Sequence, residues 1–361
     1  MKKKLLFTAY NLDLGGIENA LVNLLNNIDY DKYEVTLILE KKEGFFLNEL
    51  NENVCVKEIK VSDCKIPIFR KVINGFRKFK FKLFNKNKYD FSCCYATYSY
   101  SGNKIALIAS KNSMLYVHSN YCDLYKHNEN KIKEFYDSRN LDKFRYITFV
   151  SNESRKDFLK YYPNYKDKAL VFNNFINTKR IVDLSEEEID EKKDNDSTLL
   201  VFVGRLDDSS KKLGRAIKLV KEIDDINLWI IGDGPDKQLY QDLVDGYKLN
   251  KRVSFFGKKR NPYPYMNQAD YIILTSDYEG FPVTYLEALT LKKSIITTIP
   301  VSDDQIDIKK YAYIIPKEEK DMIIEVKKIL SSKKESKEIS IDEIQKDRIK
   351  ELEKIFDKEK E

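Results

Sequence analysis

An α/β protein of two Rossmann-like halves is what this sequence predicts, on three observations. The chain is 361 residues long, more than one ordinary domain needs. Strand-like and helix-like segments alternate along it, as in βαβ units around a parallel sheet. The alternation then starts afresh after a charged break, with no 20- to 50-residue repeat in the sequence itself, so the duplication is one of fold.

Taken in order, residues 1–175 form the first half. Lys4 to Tyr10 read as the opening strand, followed by a helical IENALVNLLNNI and a strand EVTLILE. YDFSCCYAT, SMLYVHS and RYITFVS are further strands, and SNESRKDFLKYY carries a Ser N-cap signal for a helix. SEEEIDEKKDNDS has no apolar periodicity and reads as a linker or surface excursion. The second half, residues 176–340, runs TLLVFVGRL (strand), KLGRAIKLVKEI (helix), NLWIIGDG, VSFFG and YIILTS (strands) and PVTYLEALTL (helix). Residues 341–361 form a charged helix whose Ile341, Ile344, Ile349, Leu352, Ile355 and Phe356 leave one apolar stripe to dock.

Composition narrows the function. Sixty-four basic and 58 acidic residues leave a net charge of +6, too balanced to argue for nucleic acid. Cys55, Cys64, Cys93, Cys94 and Cys122 have no metal-ligand spacing and do not read as a disulfide framework, so a reducing compartment is expected. The start, MKKKLLFTAYNLDLGG, has too short an apolar run for a secretory signal, and no stretch approaches the roughly 20 apolar residues that span a bilayer.

The segment richest in chemistry is SDYEGFPVTYLEAL. It places Glu279 on a loop after a buried strand and Glu287 within the next helix. Free amides around Phe281, Val283 and Thr284 would form an anion site, Gly280 permits close backbone approach, and Pro282 in the first turn gives up an amide that would be orphaned anyway. A diphosphate held there would have carboxylates beside it to accept hydrogen bonds from sugar hydroxyls. In FVGRLDDSSKKLGRAI, Arg205 follows a strand and Lys211 and Lys212 stand at the start of a helix. Ligands of open α/β sheets bind at such strand ends, where a guanidinium and an ammonium can neutralise a leaving diphosphate. IIGDGPDKQL adds a Gly-rich turn at Gly232 and Gly234, which turn chemistry alone also explains.

In sequence, VGRL with its following Lys, GDGP, FFGKKRNPYPYMNQADYIILTS and EGFPVTYLEA resemble the C-terminal lobe of the retaining family 4, or "group 1", GT-B glycosyltransferases over about residues 199 to 298. The resemblance implies two Rossmann-like domains facing a central cleft, with the C-terminal helix packing back on the N-terminal lobe. It also implies roles. Glu279 would contact the donor sugar, Glu287 the nucleotide ribose, and Arg205 and Lys211 the diphosphate, with Lys212 as the alternative to Lys211. The nucleobase would be read through backbone near Gly257 and Lys258, which leaves its identity open, UDP being the expected carrier. In the first half, LDLGGIENALVNLL matches the family's Gly-Gly loop at Gly15 and Gly16, and LYVHSNY supplies His118 at a strand end near the transferring sugar. The sequence departs from the family at TTIPVSDDQIDIKKYAYIIP, where a Gly-rich loop and an acidic residue are usual.

The implied reaction is transfer with retention from a nucleotide sugar, with no cofactor and no metal, to a lipid-linked or polysaccharide acceptor. The same cleft could serve a non-catalytic sugar-binding subunit or a nucleotide-sugar epimerase. Residues 65–88 carry nine basic residues from Lys65 to Lys88, no acid, and interleaved Phe69, Phe76, Phe79, Phe81 and Phe84. Such a segment can lie on an anionic membrane, or be a solvated helix whose aromatics enter the core. No RNA or DNA module accompanies it. A cytoplasmic enzyme, peripheral on the inner face of the cell membrane, is the expectation.

Overall fold

A computed structural model describes residues 1–60, 66–194, 196–332 and 339–358. The chain forms two compact units: residues 1–176 with 343–361, and residues 177–342.

Unit 1 is built on a seven-stranded parallel sheet of β1 (Lys3–Ala9), β2 (Tyr33–Leu39), β3 (Cys55–Glu58), β4 (Phe91–Cys94), β5 (Ser113–Val117), β6 (Tyr146–Phe149) and β7 (Ala169–Val171), in the order β3-β2-β1-β4-β5-β6-β7. Its helices are α1 (Gly16–Asn26), α2 (Pro67–Asn85), α3 (Tyr100–Ala109), α4 (Tyr121–Leu124), α5 (Glu129–Asp137) and α6 (Asn152–Tyr161). Leu5, Leu6 and Phe7 of β1 are buried in succession, because a parallel strand with helices on both faces has no polar side. Ser151 caps α6 as its sequence signals, its hydroxyl accepting from the Ser154 amide at 3.2 Å. The short strands β3 and β7 lie at the sheet edges, where too few residues remain to set a period.

Unit 2 has a six-stranded parallel sheet of β8 (Thr198–Val203), β9 (Ile226–Ile231), β10 (Val253–Gly257), β11 (Tyr271–Leu274), β12 (Ser294–Thr297) and β13 (Ala312–Ile314), in the order β10-β9-β8-β11-β12-β13. Helices α7 (Thr178–Ser185), α8 (Gly214–Glu222), α9 (Lys237–Gly246), α10 (Tyr263–Gln268), α11 (Val283–Thr290) and α12 (Glu319–Ser332) accompany it. Both sheets reverse strand order beside their first strand, at β1/β4 and at β8/β11. A crevice opens at such a point above the carboxyl ends of the strands.

Of the two readings of the charged stretch after Ser185, linker or surface excursion, its contacts favour the second: the Lys193 amide donates to Gln268 at 2.8 Å, and its ammonium pairs with Asp270 at 2.5 Å. Asn195 within it, and Cys64 and Lys65, lie outside the described residues. The closing helix, α13 (Ile341–Phe356), buries Leu352, Ile355 and Phe356 within unit 1, where the Phe356 ring packs on Phe7, Tyr33 and Phe91. It also buries two polar residues on the same face as the apolar stripe, Gln345 and Arg348. Gln345 is held there because its side-chain oxygen accepts from the Ile176 amide at 2.8 Å.

Candidate active site

In unit 2 the loops leaving β8 and β11 are stitched together at the strand-order reversal. The Asp277 amide donates to the Ser210 carbonyl at 2.8 Å, and the Thr275 hydroxyl donates to the Lys212 carbonyl at 3.0 Å. Arg215, early in α8, spans the gap from the other side, reaching Asp277 at 2.7 Å and the Thr275 carbonyl at 2.9 Å. Between these braces the Lys211 ammonium meets Glu279 at 2.5 Å, and the Ser276 hydroxyl donates to the same carboxylate oxygen at 2.6 Å. Residues 68 apart in sequence thus share one spot.

The two lysines divide differently from a helix start. Both precede α8, which begins only at Gly214. Lys212 adopts a left-handed φ of 51° and turns its ammonium to Asp208 at 2.9 Å, while Lys211 faces the crevice. Arg205 lies just past β8, exposed, with no side-chain partner among the described residues.

At α11, Pro282 occupies the N-cap position rather than the first turn. No side chain caps this helix, and the amides of Val283 and Thr284 make no hydrogen bond among the described residues, so they remain donors at its positive end. Phe281 contributes backbone alone, its ring being buried against Tyr285. Gly280 is buried in the turn between Glu279 and Phe281.

Glu287, the residue expected at the nucleotide ribose, lies within α11. It is buried, it accepts from the Tyr263 hydroxyl at 3.1 Å, and burial pushes its pKa up to about 7. Gly232 and Gly234 are required by packing. Gly232 has φ 153° and a Cβ there would overlap the Gly204 carbonyl, while one at Gly234 would strike the Leu206 carbonyl. The β9 turn therefore lies directly on the loop that carries Arg205. Gly257 takes φ 69° and leaves Lys258 exposed beyond it. The loop after β12 is closed on itself: Asp303 is buried and accepts from the Gln305 and Ile306 amides at 2.8 and 2.6 Å.

Unit 1 holds the remaining predicted residues. Gly15 is the N-cap of α1 in extended geometry, and Gly16 opens the helix; both are exposed. A carboxylate already lies there, since a Cβ on Gly15 would overlap Glu18. His118 follows β5 and is buried between Tyr95 and Tyr116, at 4.4 and 4.6 Å between ring centres. Burial lowers its pKa to about 3, so the ring is neutral at pH 7. Its Nδ1 lies 3.2 Å from the Asn174 side-chain oxygen, and Nε2 is buried. Tyr263 and Asn174 are not legible as site residues, because only folding across 24 and 56 residues brings them to Glu287 and His118; Ser276 is a local neighbour of Glu279.

The second histidine, His127, groups with Asp123 and Asp157, their ligand atoms all within 4.8 Å of one another. The Asn120 amide donates to both carboxylates and Lys160 pairs with Asp157, so protein groups satisfy the acids.

Comparison with known proteins agrees with this architecture. Residues 185–346 match the family described as glycosyl transferases group 1. An uncharacterized glycosyltransferase of Methanocaldococcus jannaschii, MJ1059, is 28% identical over 210 residues, 54% of this chain and 50% of that protein, so the chain spans about half the length of this curated relative. A longer match, 25% identical over 312 residues, covers 82% of the chain and 80% of the N-acetylgalactosamine-N,N'-diacetylbacillosaminyl-diphospho-undecaprenol 4-alpha-N-acetylgalactosaminyltransferase of Campylobacter jejuni. Among solved structures, Anabaena HepE in complex with UDP-glucose superposes with a TM-score of 0.70 at 14% identity over 96% of this chain and 92% of that one, a likeness of fold.

Proposed function

This chain belongs to the group 1 glycosyltransferases of GT-B fold, and from that premise we propose a retaining, metal-independent enzyme that moves a hexose or N-acetylhexosamine from a nucleotide sugar to a lipid-linked or polysaccharide acceptor. The observation that carries this reading is the joining of Lys211 and Glu279 at the strand-order reversal of unit 2. A diphosphate on the Val283 and Thr284 amides would draw Lys211 off the carboxylate and take a second cation from Arg205. Glu279, released, would accept hydrogen bonds from the donor sugar. Glu287, Gly234 and Lys258 would frame the nucleoside, and Lys212 is the alternative to Lys211 at the diphosphate. The C1–O bond to the diphosphate breaks as the acceptor oxygen bonds to C1 on the same face, and the acceptor proton passes to the departing phosphate oxygen. UDP as the carrier is supported by the UDP-glucose complex of the Anabaena fold relative, and a lipid-linked acceptor by the name of the Campylobacter relative. A thermal-shift screen of nucleotides and nucleotide sugars tests the donor half. Stabilisation by UDP and a UDP-sugar that Arg205→Ala abolishes is expected; an unchanged response in that variant removes the assignment.

We also propose that the enzyme works at the inner face of the membrane, with α2 as the contact. Among the described residues no helix is long and apolar enough to cross a bilayer, and Cys55, Cys93, Cys94 and Cys122 are free thiols. On α2, Phe69, Val72, Phe76, Phe79 and Leu83 stand exposed in one stripe, and Phe84 is exposed beside it. Phe81 alone of the five phenylalanines turns inward. The exposed Lys80 and Lys82 flank the stripe on its two sides, which suits an anionic lipid surface.

A further inference from the structure

Two ion pairs cross the gap between the loops that leave β8 and β11. Lys211 meets Glu279 at 2.5 Å, and Arg215, four residues after that lysine, meets Asp277, two residues before that glutamate, at 2.7 Å. The first pair faces the crevice and the second lies behind it. Their surroundings differ in a way that suits different tasks.

The Arg215 pair is built into the frame. One guanidinium nitrogen serves both the Asp277 carboxylate and the Thr275 carbonyl, the latter at 2.9 Å. The Arg215 amide and the Thr275 hydroxyl both donate to the Lys212 carbonyl, each at 3.0 Å, so the β8 loop is gripped from α8 and from the end of β11. Asp277 is fixed through its backbone as well: its amide donates to the Ser210 carbonyl at 2.8 Å, and its carbonyl accepts from the Lys317 ammonium at 2.5 Å. Because Asp277 meets its charge, Arg215 brings no spare cation to the crevice. The Lys211 pair is the one that opens when a diphosphate takes the ammonium. Glu279 then keeps Ser276, a neighbour on its own loop, and loses its side-chain contact with the other loop. The separation of sugar contact from diphosphate grip must be held from elsewhere.

We propose that Arg215 is a positioning residue for the transfer: through Asp277 and the Thr275 carbonyl it keeps the Glu279 loop in register with the diphosphate subsite after Lys211 has left Glu279. The inference rests on the transferase reading above and deepens it. Without Arg215 the nucleotide still finds Arg205, Lys211 and the α11 amides, whereas the sugar is presented out of place, and a misplacement of about 1 Å can cost about 10²-fold in rate.

Acceptor-free hydrolysis of UDP-glucose and UDP-N-acetylglucosamine by the full chain, with water taking the sugar, reads the chemical step; calorimetry with UDP reads the nucleotide; hydrogen exchange of residues 276–281 in the UDP complex reads the loop. Arg215→Ala should lower kcat about 10²-fold, leave the Kd for UDP close to wild type and speed exchange of the loop. Arg215→Lys, a cation without the planar fork, should recover part of kcat. Asp277→Ala should resemble Arg215→Ala, and the double variant should be little worse than either, as for two residues acting as one unit. If Arg215→Ala melts well below wild type, Asp277→Asn, which keeps the side-chain shape, is held to the same split between kcat and Kd. Equal losses of kcat and UDP affinity, or unchanged loop exchange in Arg215→Ala, overturn the proposal. A wild type that binds no UDP overturns the donor reading instead, and faster loop exchange in the ligand-free variant would leave the brace standing.

Discussion

The two units share one strand order around their reversal points and line it with different side chains. In unit 2 the crevice is ionic: Lys211 on Glu279, Arg205 unpaired among the described residues, and an uncapped helix start at Val283. Unit 1 surrounds its strand ends with tyrosines, a neutral His118 and a buried carboxylate, Glu40. A parallel sheet supplies the strand ends in both cases, and side chains set the charge around them.

The contrast extends to protons, and there the largest effect is expected. Unfolded His118 binds a proton near pH 6.5, whereas the buried ring does so only near 3. Its contribution to unit 1 stability is therefore complete above pH 6.5 and lost as pH falls from 6.5 toward 3, by at most about 5 kcal/mol. Urea melts followed by circular dichroism should show a shallower acid loss in His118→Asn. Equal slopes in variant and wild type would mean that the ring is not held neutral.

Next in size is the ionic crevice itself. Glu279→Ala and Arg205→Ala should each lower transfer by about 10²–10³, roughly 3–4 kcal/mol of barrier, while the melting profile stays close to wild type. UDP release measured with a UDP-sugar and a glycan acceptor reads this out, and near-normal turnover in both variants would dissolve the distinction between the units.

Glu287 supplies the opposite sign to His118. The buried carboxyl keeps its proton up to about pH 7, while the unfolded group releases it near 4.5. Its contribution is thus fully present below pH 4.5 and lost as pH rises through about 7, costing unit 2 roughly 3 kcal/mol at most. The sole tryptophan, Trp229 in β9, allows unit 2 to be followed by fluorescence. In Glu287→Gln the decline between pH 4.5 and 7 should vanish. A smaller effect is expected at α2, where Lys80→Ala should weaken binding to phosphatidylserine vesicles about fivefold, in line with about 1 kcal/mol per basic residue near such a surface. No preference for anionic over neutral vesicles in the wild type would remove the lipid contact.

Much of the fold is legible in the chain. The apolar runs of β1, β2, β5 and β8 and the capped start of α6 are local signals, and each starts within a residue of its expected place. The polar helix α7 and the edge strands β3 and β7 are not, since α7 has few apolar positions and the strands only three or four residues. Within the site, EGFPVTYLEA marks Glu279 and the helix start directly. Which lysine meets Glu279 cannot be read from KK: Lys212 takes a left-handed turn that sends it to Asp208.

By itself the sequence determines where strands and helices lie and which segments carry carboxylates, cations and glycines, because period and capping depend on neighbours a few residues apart. Tertiary structure alone decided that Glu287 and His118 are buried, that Lys211 lies on Glu279, and that α2 turns four of its five phenylalanines outward. Burial and pairing depend on groups tens to hundreds of residues away, and no local pattern records them.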